Sequence, residues 1–151
     1  MKLTIPEDNI LARRIYTPNM GENGKWRFEE IFHFSTPKFP PELRRHESVD
    51  WVEIATAQGV HASGFEAARA KSAKGNATQY WGFWQAVNFE IHRIVGNCGS
   101  RFIVEHEPSE GPAHSHIVMI EAAAATNGSR RALKERLIDI FFRQQVAASH
   151  P

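Results

Sequence analysis

The sequence predicts an α+β fold: a single mixed or antiparallel sheet with a central hairpin at about residues 102–121, packed against two or three helices. Three observations predict it. Phe102 to Glu121, FIVEHEPSEGPAHSHIVMIE, reads as two apolar strands joined by a short polar connection. Gly59 to Lys74 is rich in alanine and is followed by Gly75-Asn76, as a glycine-terminated helix is. In RRALKERLIDIFFRQQV, the residues Leu133, Leu137, Ile140 and Phe141 fall on one helical face, with Arg130, Lys134, Arg136 and Arg143 elsewhere.

The remaining elements follow in chain order. Leu11 to Tyr16 reads as a short strand or extended arm, and Pro18, Asn19, Gly21, Asn23 and Gly24 make a turn-rich loop after it. Trp26 to Phe34 places Trp26, Phe28, Phe32 and Phe34 on even positions, a strand with a bulge at Glu30-Ile31 and the expected edge of the sheet. Pro37, Pro40 and Pro41 end it, and Pro41 to Arg45 suits one helical turn. Val49 to Ile54 is a short, weak element. Residues 76–95 present a conflict: Val87 to His92 alternates as a strand does, while Trp84, Val87, Ile91 and Ile94 follow helical spacing and Asn76 to Gln79 resembles a capping box. The length of the stretch favours a buried helix. Ser129 is the expected N-cap of the last helix, and the tail from Ala147 is expected to fray.

The 151 residues suffice for one domain, 1–151, and the content of 42% apolar and 23% charged residues excludes whole-chain disorder, collagen and coiled coil. A net charge of +1 excludes a global basic or acidic field. Cys98 has no second cysteine to pair with, so a reducing compartment is expected. MKLTIPEDNI lacks an apolar run of signal-peptide length, and no window approaches the roughly 18 apolar residues of a membrane span. The expected location is cytoplasmic, with no membrane partner.

Three of the eight histidines, His106, His114 and His116, stand where the predicted strands meet their turn. If His106 lies opposite His114, then Val104 faces His116, Phe102 faces Val118 and all three imidazoles share one side. Such a set suits zinc or another borderline divalent ion, with one coordination position left for water, and Glu107 or Glu110 could add an oxygen. The alternative is a satisfied hairpin end whose rings bond backbone and water. A register shifted by one residue would send the two strands' histidines to opposite faces.

His114-Ser-His116, four residues, Glu121, six residues and Gly128 together are similar to the first metal motif of cupins, a resemblance running from His114 to Gly128. The pattern departs from that family at Pro108, where a glycine is expected, and after Glu121, where alanines lead into a helix. No second cupin motif follows, so the family's function is not carried over. No P-loop, G-x-G-x-x-G, H-E-x-x-H, G-x-S-x-G or C-x-x-C is present. Basic residues cluster at Arg13-Arg14, Arg44-Arg45-His46, Lys71 with Lys74, and Arg130-Arg131 with Lys134; with Tyr16, Trp26 and Trp51 they could form an anion or nucleic-acid patch. Arg131 and Glu135 are spaced for a helical ion pair.

The preferred expectation is a small cytoplasmic interaction or regulatory domain without catalysis, with an unidentified protein or small-molecule partner and no required cofactor. The first alternative is a metal-dependent, hydrolase-like site on His106, His114 and His116. The second is nucleic-acid binding through the arginine clusters.

Overall fold

In the computed structural model, residues 1–17, 27–34 and 45–149 are described. The elements are β1 (Ile10–Tyr16), α1 (Phe28–Ile31), β2 (Arg45–Trp51), α2 (Val52–Ala55), α3 (Ala57–Ala73), β3 (Tyr80–Val87), α4 (Asn88–His92), β4 (Arg101–His106), β5 (His114–Ile120), α5 (Asn127–Phe142) and β6 (Gln145–Ala147). A single 3-10 turn, Pro108–Glu110, lies between β4 and β5. The strands form one antiparallel sheet in the order β4-β5-β2-β1-β3-β6. The sheet is open, with β4 and β6 at its ends, so the cupin-like spacing does not build a barrel. Among the described residues, no helix is long and apolar enough to cross a membrane.

The α+β class, the hairpin and the two long helices match the expectation, but the hairpin is not central. β5 is interior and β4 is an edge strand, bridged on its outer side, among the described residues, at Val95 and Arg101. The expected edge strand at Trp26 to Phe34 is not formed where it is described, because Phe28–Ile31 is a helical turn. Trp26 lies outside the described residues, as do the first four residues of the turn expected at Pro41 to Arg45, whose last residue opens β2.

The two faces of the sheet differ. On one, Leu11, Ile15, Val49, Trp51, Trp84, Phe102, Ile117 and Met119 meet Ile91 of α4 and Leu133, Leu137, Ile138 and Phe141 of α5 in the main core. On the other, α3 covers only part of the surface, through Val60 on Ala12 and Phe83. A Cβ on Gly64 would lie 2.3 Å from the Tyr80 ring, so α3 seats here because glycine leaves room for that ring. His61 Nδ1 lies 3.0 Å from the Tyr80 hydroxyl beneath the helix.

Residues 76–95 invert the expectation. Tyr80 to Val87 is a strand, and the helix is confined to Asn88–His92, where the residues alternate. β3 pairs with β1 on one side and β6 on the other, and the aromatic run YWGFW suits a strand covered on both faces. Gly82 has φ +124°, and a Cβ there would lie 2.1 Å from the Val146 carbonyl oxygen, a close backbone approach of the kind strand glycines mark. Trp84, Ile91 and Ile94 all enter the main core, but from a strand, a helical turn and a position two residues beyond that turn. Their helical spacing therefore reflects a shared destination.

Two smaller corrections concern α5 and the tail. Thr126, not Ser129, is the N-cap: its hydroxyl accepts from the Ser129 N–H at 3.1 Å, and Ser129 Oγ accepts from the Thr126 N–H at 2.8 Å. The pair forms a capping box with serine in the usual glutamate position. The tail does not fray at Ala147, since Gln145–Ala147 pairs with β3 as β6.

Candidate metal site on the open sheet face

The β4–β5 register decides which histidines meet. His106 pairs with Ser115, Glu105 with His116, Val104 with Ile117 and Phe102 with Met119, one residue away from the expected alignment. Directly paired residues share a face, so His106 lies on the opposite face from His114 and His116. Burial explains the choice. This register collects Phe102, Ile117 and Met119 into the main core, with Val104 packed against it. The expected register would have put His114 and His116 there instead, and a buried face enforces register strongly.

His106 is 4% exposed and structurally committed. The Leu3 N–H donates to Nδ1 at 3.0 Å, which leaves Nε2 to donate to the Pro112 carbonyl at 2.8 Å. Its ring also meets the edge of Trp51. With both nitrogens engaged, His106 is not a metal ligand in this arrangement. Of the expected set, the structure brings together His114 and His116 but not His106.

Glu110 takes the third place. At the end of the 3-10 turn, its Oε2 lies 2.7 Å from His114 Nε2 and 3.2 Å from His116 Nε2. Donor atoms of Glu110, His114 and His116 all fall within 4.8 Å of one another. The His114 contact is close but lacks hydrogen-bond alignment, so that buried nitrogen has no hydrogen-bond partner. Donors around a tetrahedral zinc stand about 3.3 Å apart at bond lengths near 2.0–2.1 Å. The Glu110–His114 separation would have to open by about 0.6 Å, and the widest separation in the set, up to 4.8 Å, would have to close toward about 3.3 Å. The 55% exposed Glu110 side chain and rotation of the imidazoles can supply these movements. Glu107, the other carboxylate considered, is held by the Ser109 hydroxyl at 2.8 Å and by Lys2 at 3.0 Å; these contacts keep its carboxyl below the usual range and outside the cluster.

His46 is the residue that sequence reading missed. Its ring stacks on His116 with centroids 4.2 Å apart, while the His114 and His116 rings stand nearly perpendicular at 5.1 Å. Burial, then the neighbouring His46 and His114, lower the His116 pKa, with Glu110 opposing them. A neutral imidazole is the form that binds metal. The signal lies in the alternation His46-x-Ser48-x-Asp50, but the short element expected there begins only at Val49.

A cavity of about 450 Å³ adjoins the cluster, walled in part by Arg14, Tyr16, Ser48, Asp50 and Lys71. Two of its lining residues neighbour the histidines in the ladder: Asp50 pairs with His114, and Ser48 with His116. Arg14 Nε lies 2.9 Å from Asp50 Oδ2, although that buried oxygen lacks an aligned hydrogen bond. Lys71 Nζ sits 4.8 Å from the centre of the Tyr16 ring. Glu121, the carboxylate of the cupin-like spacing, is elsewhere, paired with Arg45 and Arg130. Cys98 Sγ lies in hydrogen-bond contact with Ser100 Oγ at 3.2 Å. Comparisons with protein-family models, curated proteins and solved structures find no match to this chain.

Proposed function

We propose that this protein binds a divalent transition-metal ion, zinc or one similar to it, through Glu110, His114 and His116, and that the ion serves a hydrolase-like site opening toward the adjoining cavity. The observation that carries this reading is the convergence of two imidazole nitrogens and one carboxylate oxygen within 4.8 Å. A site of three protein ligands leaves a position for water, whose pKa the ion lowers. Support comes from the cavity's charged lining, in which Arg13, Arg14 and Lys71 stand beside Glu30 and Asp50 and suit a small polar substrate. This reading displaces the interaction domain without catalysis as the preferred one, and the single unpaired Cys98 supports placing the protein in the cytoplasm.

The test is metal analysis of protein purified without a histidine tag, followed by melting before and after chelation. Near one equivalent of metal and a lower melting temperature after chelation are expected, because an ion that binds only the folded state stabilises it. His114→Ala, His116→Ala and Glu110→Ala should each lose the ion, and His92→Ala should keep it. A metal-free preparation that takes up no zinc and melts unchanged with chelator would overturn the reading.

A further inference from the structure

We propose that the chain carries a second binding site, for a small phosphate-bearing anion, in the cavity between the start of β2 and the first turns of α5. The cavity, about 190 Å³, is walled by Arg45, Met119, Asn127, Arg130, Arg131 and Lys134, beside His33 and Phe34. Four of these side chains are cations, and the carboxylate of Glu121 lies against them. Its Oε1 atom serves two of them, Arg45 at 2.9 Å and Arg130 at 3.2 Å. Arg131 and Lys134 make no ion pair among the described residues, and the expected Arg131–Glu135 pair is not formed. Among the described residues, Arg131 and Lys134 thus leave two cations without a carboxylate at one concavity.

Like charges gathered this closely repel one another, and a concave wall of one sign focuses its field on whatever enters. The arginines are already oriented. Arg45 donates to the Phe34 carbonyl at 3.1 Å, and Arg130 to Asn127 Oδ1 at 2.6 Å, so little side-chain freedom is lost when an anion binds. Arginine forks match phosphate oxygens in pairs, while lysine adds a mobile point charge. The positive end of the α5 dipole acts in the same direction. Two such cations beside two arginines suit a multiply charged phosphate better than a single carboxylate. The volume is below that of a usual drug-sized ligand site of roughly 300–1,000 Å³, which fits one compact anionic group. The overall charge of only +1 argues against an extended nucleic-acid face and favours a free phosphate compound over a polymer backbone.

The inference is independent of the metal site, and calorimetry on the metal-stripped full chain tests it. Pyrophosphate is the probe, with a short single-stranded oligonucleotide as the second arm. Pyrophosphate should bind, and Arg131→Ala and Lys134→Ala should each weaken it roughly tenfold, equivalent to about 1.4 kcal/mol, with unchanged melting. His114→Ala should bind it as the parent does. No binding at millimolar pyrophosphate, or binding indifferent to both substitutions, would overturn the proposal. So would an oligonucleotide that binds and is not displaced by pyrophosphate.

Discussion

His106 faces Ser115 across the β4–β5 ladder, and this pairing turns its imidazole into the core while His114 and His116 stand on the other side of the sheet. Neighbouring histidines therefore play opposite parts. His106→Ala removes two hydrogen bonds and leaves a buried void, so it should cost roughly 2–4 kcal/mol in urea denaturation while the folded fraction keeps its metal. His114→Ala should lose the metal yet change the stability of the metal-free protein by no more than about 1 kcal/mol. The opposite pattern, with His106→Ala metal-free and fully stable, would return His106 to the site.

Gly64 is a contact glycine within a helix. Alanine is ordinarily worth about 1 kcal/mol over glycine in a helix interior. Here the added methyl would meet a Tyr80 ring already packed against His61, Phe65 and Tyr16. Overpacking should win, giving a net loss of roughly 1–3 kcal/mol for Gly64→Ala. A variant as stable as the parent would mean that α3 rides more loosely on the sheet than described.

His61 makes stability depend on pH. Burial lowers its pKa from the ordinary 6.5, so the unfolded chain takes up a proton there before the folded chain does. The contribution is complete above the unfolded value and is lost as pH falls through the folded one. On acidification from pH about 7.5 to about 5, the parent should lose more stability than His61→Gln, by urea titrations at each pH. Parallel pH dependences in the two proteins would remove His61 as a source.

Trp84 is 2% exposed in the main core, and Trp84→Ala should cost roughly 3–5 kcal/mol. Backbone chemical shifts supply the conformational check. They should be of strand type over Tyr80–Val87 and helical over Asn88–His92. Helical shifts throughout 76–95 would contradict the sheet order.

The parts legible in the sequence were those with one dominant period or one decisive terminator. α3 ends at Gly75, whose φ is +93°, and α5 carries an apolar stripe of Leu133, Leu137 and Phe141. β3 was illegible because strands covered on both faces lose alternation, leaving Trp84 and Ile91 to mimic a helix. In the site, His114, His116 and the turn carboxylate Glu110 were readable from local spacing. His46 was not, since it arrives from β2, far away in sequence, and only the pairing of β2 with β5 brings it beside His116. The place of His106 rested on register, which local chemistry near the turn left open but the burial of Ile117 and Met119 resolved.

The paired positions His106 and Ser115 enclose an even number of residues, and this arithmetic governs how the connection can change over evolutionary time. Insertion or loss of a single residue between them must be absorbed as a bulge or must slip the ladder by one step. A slip exchanges inside for outside along an entire strand. Changes by two leave each side chain on its own face. The hairpin's tolerance for length variation is thus a matter of odd and even, and a chain differing by one residue here would gain a third imidazole beside His114 only by moving Phe102 and Val104 out of the core.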